Sequence, residues 1–294
     1  MIVIGSRGSQ LALWQARHIA ARLAEFGAES SIKIIKTTGD KITDAPLAQV
    51  GGKGLFTKEI EEELLAGTID LAVHSLKDMP VDLPQGLTLV AFPEREEPRD
   101  ALIGRQLSEL GKGSKVGTSS LRRAAQLRAL DRGIVTGTLR GNVDTRLRKL
   151  DEGQFDAIVL AAAGLRRLGW QDRIAELLPV EAMCPAVGQG ALAIEAREDH
   201  REVVDLVRRL DHRETRIAVT AERALLATLG GNCQVPMGAH ADAGGPAIRL
   251  RAVVVSPDGA RIVRGELFGV RPEEVGQELG RRLLAQGARE ILAA

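Results

Sequence analysis

The sequence predicts two α/β lobes followed by a smaller α+β domain, on three observations. Strand and helix signals alternate twice along the first two thirds of the chain. A charged segment carrying two prolines, Pro93-Glu-Arg-Glu-Glu-Pro-Arg-Asp100, separates the two alternations as a domain crossover would. From about Arg213 the pattern changes to a helix, a hairpin signal and a final amphipathic helix.

In the first lobe, Ile2 to Ile4 is a short apolar strand. Gly5-Ser-Arg-Gly-Ser9 then turns into a helix with Leu11, Trp14, Ile19, Leu23 and Phe26 on its apolar face. Ile32 to Lys36 reads as a strand, and a glycine-rich stretch at Val50-Gly-Gly-Lys-Gly54 leads to a helix from about Thr57 that Gly67 stops. Asp70 to His74 and Leu87 to Phe92 are further strands. The second lobe runs through a strand at Lys115 to Gly117, a helix at Leu121 to Leu130 and a strand at Ile134 to Leu139. A helix at Val143 to Leu150 and a strand at Asp156 to Leu160 complete it. Pro179 and Cys184-Pro185 break this pattern, and Ala191 to Ala196 is a strand placed to return to the first sheet. Beyond the helix that Gly230-Gly231 closes, Ile248 to Val255 and Arg261 to Phe268 flank Ser256-Pro-Asp-Gly259 as a hairpin. The expected domains are 1–95 with 190–210, then 96–189, then 211–294. Two lobes joined by more than one crossover, an arrangement like that of periplasmic binding proteins, predict a cleft between them.

Composition excludes several classes of function. Lys plus Arg total 40 against 39 acidic residues, so no global basic field draws in nucleic acid or an anionic membrane. Aromatics are 2% of the chain, too few for base stacking, and tyrosine is absent. Two cysteines cannot make a disulfide scaffold or a four-thiolate zinc site. No apolar run has the length of a signal peptide or a membrane span, so a cytoplasmic protein is expected, and nothing in the pattern opposes a monomer.

Two motif matches fail on context. Val50-Gly-Gly-Lys-Gly54 lacks the Ser or Thr that follows the lysine of a phosphate loop, and Leu47 stands where its first glycine is required. Gly188-Gln-Gly-Ala-Leu-Ala193 fits a dinucleotide pattern but precedes a strand instead of leaving one.

The arginines carry more. Gly117-Thr-Ser-Ser-Leu-Arg-Arg123 ends a strand and opens a helix, so hydroxyls, backbone N–H groups and two guanidiniums can converge on an anion. Leu139-Arg-Gly-Asn-Val-Asp-Thr-Arg146 repeats the arrangement, and Gly164-Leu-Arg-Arg-Leu168 adds a third cluster. A single charge run is ordinarily a solvated face. Three clusters at strand ends of one lobe, however, suit a ligand with several carboxylates. In the first lobe, Val73-His-Ser-Leu-Lys-Asp78 ends an apolar strand; Asp78 is either a proton-transfer carboxylate or a surface turn residue, and His74 a packing residue. Cys233 has three readings: an inert buried thiol, a nucleophile, or an attachment point. No adjacent histidine supplies a base, and composition alone favours burial for both Cys233 and Cys184.

Over nearly its whole length the chain resembles the porphobilinogen deaminases of tetrapyrrole biosynthesis. The resemblance rests on Ser9-Gln-Leu-Ala-Leu-Trp-Gln15, Val50-Gly-Gly-Lys-Gly-Leu-Phe56, Val73-His-Ser-Leu-Lys-Asp78 and Val116-Gly-Thr-Ser-Ser-Leu-Arg-Arg123. It extends through Leu139-Arg-Gly-Asn-Val143 with Thr145-Arg146, Pro185-Ala-Val-Gly-Gln-Gly190, and Cys233-Gln-Val-Pro236. It implies a transferase that joins four porphobilinogen molecules into linear hydroxymethylbilane on a dipyrromethane cofactor bound to Cys233 by a thioether. It also implies that Asp78 is catalytic, and that Arg7, Arg122, Arg123, Arg140, Arg146 and Arg167 bind the carboxylates of substrate and cofactor. By the same resemblance Ser9, Ser75, Lys77, Thr118, Ser120 and Gln189 are expected to assist, and Lys53 and Phe56 to lie on the family's mobile loop. Two departures stand out: Asn232 replaces a glycine or serine common in the family, and Gln49 a lysine. The rival expectation, a two-lobed carboxylate-binding module, leaves Cys233 without a purpose.

Overall fold

A computed structural model describes residues 1–41, 54–230 and 236–293. The chain divides into two compact units, Met1–Glu96 with Ala191–Arg216, and Glu97–Gly190 with Ile217–Ala294.

The first unit begins with β1 (Ile2–Ser6), α1 (Gln10–Ala24) and β2 (Ser30–Ile34), followed by a helical turn at Thr38–Lys41. After α2 (Lys58–Leu65) come β3 (Leu71–Ser75), a 3-10 turn at Leu76–Asp78, and β4 (Leu87–Ala91). The second unit opens with β5 (Asp100–Gly104), β6 (Lys115–Gly117), α3 (Leu121–Ala129), β7 (Val135–Gly137) and α4 (Val143–Asp151). It continues through β8 (Ala157–Ala161), α5 (Ala162–Arg167) and β9 (Ile174–Leu177). The chain then returns to the first unit as β10 (Leu192–Arg197) and α6 (Arg201–Arg208). The division between units falls within α7 (Arg213–Thr228). The second unit resumes with β11 (Met237–Asp242), β12 (Ile248–Val255), β13 (Ile262–Gly269) and α8 (Pro272–Leu283).

Each unit holds one five-stranded mixed sheet, ordered β2-β1-β3-β10-β4 in the first and β7-β6-β8-β5-β9 in the second. In the first, β1, β2 and β3 are parallel while β10 runs antiparallel between β3 and β4, so the predicted returning strand sits inside the sheet. Its apolar faces are buried by α1 and α6 on one side, where Ile4, Ile19, Leu23, Val73, Ile194 and Val207 pack together. On the other side α2 places Ile60 and Leu64 against Ile35, Ile69 and Ala72. The same two-sided burial occurs in the second unit, with Leu102, Val116 and Val159 on one face and Ile103, Ile158 and Leu160 on the other. Coverage on both faces is what makes the strands read as continuous apolar runs.

The second unit also contains an antiparallel sheet, β11-β12-β13, with α8 packed on it. The sequence marked two strands here, and the structure has three. β11 is Met-Gly-Ala-His-Ala-Asp, without the β-branched residues that announce a strand. Small residues are required because a Cβ on Gly238 would lie 2.5 Å from the Cys184 carbonyl oxygen. The Ala239 N–H donates to the Pro185 oxygen over 2.9 Å at the same place. Two further strands, β5 and β9, were not read from the sequence; β5 was obscured by the prolines and charges that precede it.

Candidate functional site

Most predicted residues lie at the C-terminal ends of parallel strands, and each unit supplies its own group. In the first unit β1 and β3 are parallel, so the turn after Ser6 and the turn after Ser75 leave one edge of the sheet. Ser9 caps α1 by accepting the Ala12 N–H at 3.3 Å. From α1, Gln15 Nε2 donates to Ser75 Oγ over 2.9 Å and ties the helix to the end of β3. Beyond Ser75 the 3-10 turn carries Lys77 half-buried and Asp78 exposed; Leu76 N–H anchors the turn to the Ala191 oxygen at 3.0 Å.

Arg7 is held from two sides. Its guanidinium pairs with Asp40, with Nε 3.1 Å from Oδ1, and lies 4.1 Å from the centre of the Phe56 ring. Burial opposes the charge on Asp40, but hydrogen bonds from Arg7 and Thr37 outweigh it and hold the carboxyl below its ordinary range. Lys53 and Cys233 lie outside the described residues.

In the second unit β6, β7 and β8 are parallel, and their ends bring together the remaining predicted residues. Ser119 Oγ donates to the Leu139 oxygen at 2.6 Å and accepts the Leu139 N–H at 3.1 Å, which joins the Thr118–Ser120 turn to the residue before Arg140. Thr118 is buried, Ser120 caps α3, and Arg146 Nε donates to the Gly141 oxygen at 2.8 Å. At the end of α5, buried Arg167 donates to the Gly190 oxygen at 2.6 Å, beside Gln189.

Arg122 and Arg123 are both less than a tenth exposed and meet at Asp100, which is fully buried at the start of β5. Arg122 Nη1 donates to Asp100 Oδ2 at 2.7 Å and to the Cys184 oxygen at 2.6 Å. Arg123 donates to Asp100 Oδ1 from Nε at 2.9 Å and from Nη2 at 2.7 Å, while Gln189 Nε2 donates to the same oxygen at 3.0 Å. Although burial strongly disfavours its charge, the two guanidiniums hold Asp100 far below the usual carboxylate range. Asp100 escaped the sequence reading because it belongs to the charged segment taken as a crossover. The signal was present as a lone acid heading the apolar run Ala101-Leu102-Ile103. Also missed was the buried pair His74 and Glu195, with Nε2 and Oε2 3.0 Å apart on β3 and β10.

The donor set fits a ligand bearing carboxylates. Among the described residues Arg140 Nη1 is buried with no hydrogen-bond partner, and Arg122 bonds through Nη1 alone. A cavity of about 660 Å³ in the second unit lies elsewhere, near Gly104 and Phe155, and none of the predicted residues lines it. Its arginines are already paired, Arg105 with Asp156 at 3.0 Å and Arg173 with Asp151 at 2.5 Å. Among the described residues no cluster of potential metal ligands occurs, and no helix is long and apolar enough to cross a membrane.

Fold and side chains together define a class: an α/β protein of more than one unit whose parallel strands end in hydroxyls, guanidiniums and an acidic turn. Residues 2–205 match the family model described as the dipyrromethane cofactor binding domain of porphobilinogen deaminase, and residues 216–285 match that enzyme's C-terminal domain. The chain belongs to the porphobilinogen deaminase family. It is 50% identical over 299 residues to a porphobilinogen deaminase of Syntrophobacter fumaroxidans, covering 99% of this chain and 97% of the relative. With the enzyme of that name from Nitrosomonas europaea the identity is 52% over 301 residues, covering 100% and 97% of the two chains. A solved nutrient binding protein from Burkholderia cenocepacia, bound to methionine, aligns with 74% of this chain and 94% of its own at a TM-score of 0.46 and 12% identity.

Proposed function

We propose that this chain is a cytoplasmic hydroxymethylbilane synthase, joining four porphobilinogen molecules head to tail on a dipyrromethane tethered to Cys233. The proposal rests on relatives of that family aligned end to end. The structural observation that supports it is the buried Arg140 Nη1, without a hydrogen-bond partner among the described residues, at strand ends already crowded with guanidiniums. In this reading the domains are 1–95 with 190–210, 96–189 and 211–294, the last carrying the tether.

Each addition breaks the aminomethyl C–N bond of porphobilinogen with loss of ammonia, forms a C–C bond between two pyrroles, and releases one ring proton. The cofactor supplies a covalent primer that stays with the protein when water releases the four-unit product. Asp78 receives pyrrole N–H groups, stabilises the positive charge that develops as ammonia leaves, and moves the protons. Lys77 and Ser75 serve beside it on the same strand end. Arg122, Arg123, Arg140, Arg146 and Arg167 bind acetate and propionate groups, helped by Thr118, Ser120 and Gln189. Arg7 and Ser9 of the first unit also bind carboxylates, and Phe56 and Lys53 have a gating role.

Intact-mass spectrometry tests the reading. The purified protein should exceed its sequence mass by two pyrrole units, and Cys233→Ser should lose both the added mass and turnover. Asp78→Asn should keep the added mass and lose turnover by about 10²-fold or more. An active, well-folded sample at the bare sequence mass would refute the tether.

A further inference from the structure

The arginine pair after β6 is held by a group that the substrate reading does not use. Two guanidiniums in one buried pocket repel each other and have rotamer freedom to separate, so their common orientation needs a cause. Asp100 supplies it. Its two oxygens are divided between the arginines, Oδ2 taking Arg122 Nη1 at 2.7 Å and Oδ1 taking Arg123 Nε and Nη2 at 2.9 and 2.7 Å. The carboxylate is fixed in turn. Its backbone lies in the β5 ladder opposite Ala161, the Leu178 N–H donates to its carbonyl at 2.9 Å, and Gln189 Nε2 steadies Oδ1. Gln189 is itself placed by donating to the Pro98 oxygen at 2.7 Å. The outer end of the arrangement is also set, since Arg122 Nη1 and Gln126 Nε2 both donate to the Cys184 oxygen, at 2.6 and 3.0 Å.

We propose that Asp100 is a positioning residue for the reaction: it bridges Arg122 and Arg123 so that both guanidiniums face their ligand carboxylates in one fixed geometry. The inference builds on the reading of those arginines as carboxylate binders. A residue acting this way does not touch the reacting atoms. Its loss disturbs cofactor retention and substrate affinity more than the chemical step.

The test compares full-length wild type, Asp100→Asn and the double variant Asp100→Asn/Arg123→Gln. Asparagine keeps the shape but removes the charge, leaving two guanidiniums without their shared anion. Asp100→Asn should show a fall in cofactor-loaded mass or at least a tenfold rise in KM, with kcat of the loaded fraction changed less than KM. Its melting temperature should also rise more with added inorganic phosphate than wild type's does, because an external anion can take the place of the lost carboxylate. The double variant, with one guanidinium fewer, should lose that extra phosphate response without regaining wild-type KM. If Asp100→Asn does not fold, the double variant carries the test, and wild-type cofactor loading and KM in it overturn the proposal. Equal phosphate response, cofactor mass and KM in Asp100→Asn and wild type overturn it too. Because wild type must still show the two-pyrrole mass gain, failure here is separable from failure of the tether reading.

Discussion

Replacing Gly39 with alanine tests whether the platform under Arg7 is packed as the structure describes. Gly39 lies in the helical turn Thr38–Lys41, and its N–H donates to the Leu55 oxygen at 2.8 Å. A Cβ there would sit 2.2 Å from Phe56 Cε1, 2.3 Å from Cδ1 and 2.8 Å from the Leu55 oxygen. The ring can swing away, but the backbone oxygen is held by the Gly39 N–H itself, so relief requires the turn to move. Overpacking of this kind costs about 1–3 kcal/mol. Displacing Phe56 also removes its contact with the Arg7 guanidinium, about 0.5–1 kcal/mol at a half-exposed site. Alanine returns up to about 1 kcal/mol through its better helix propensity. The net loss is therefore about 0.5–4 kcal/mol, or roughly 1–16 °C in melting temperature at about 2–4 °C per kcal/mol. Gly111→Ala is the control, since a Cβ there meets nothing within 4 Å, and it should be nearly neutral. Thermal denaturation by circular dichroism reads stability, and a several-fold rise in KM for porphobilinogen reads the displacement of Arg7. Melting of Gly39→Ala equal to that of Gly111→Ala, with unchanged KM, would refute the packing argument.

Two other outcomes follow from buried groups. Burial is the main influence on Glu61 in α2 and raises its pKa above the ordinary 4.5, with the nearby Glu195 charge adding to the effect. The folded state then holds that proton more tightly than the unfolded state, so this group's contribution to stability falls as pH rises from 4.5 through the raised value. Glu61→Gln cannot ionise, so its melting temperature relative to wild type should be more favourable at pH 8 than at pH 5; the reverse trend would contradict the assignment. For Cys184, burial pushes the thiol up to about 12. Iodoacetamide at pH 8 should therefore leave it unmodified in the native protein and label it after denaturation in guanidinium, with peptide mapping as the readout. Labelling of native Cys184 at the unfolded rate would overturn the description of its surroundings.

Strand and helix alternation was legible because each sheet is covered on both faces and its strands are short apolar runs. The return of residues 191–196 to the first sheet was legible too, from the break at Cys184-Pro185 that precedes it. Boundaries were less so: β2 ends at Ile34, two residues before the expected Lys36, although the Ile35 N–H still donates to the Ser6 oxygen at 2.8 Å and its side chain packs beside Ile60 and Ile69. β11 was illegible because its small residues answer to the close approach of Cys184-Pro185, which no local pattern records.

The sequence by itself determined the family and the arginine-rich turns at the strand ends, because the order of many motifs carries the first and residue type the second, whereas local pattern left Asp78 and Cys233 with more than one reading and only the family resemblance gave them roles. The tertiary structure decided which charges meet. Asp100 reaches Arg122 and Arg123, more than twenty residues along the chain, only because β5 runs antiparallel beside β8 and the parallel β6 delivers α3 to the same end of the sheet. Likewise His74 meets Glu195 across 121 positions because β10 is inserted next to β3. Such pairings are set by strand order and register, which depend on contacts distant in sequence, so a local signal such as the acid heading Ala101-Leu102-Ile103 does not name its partner.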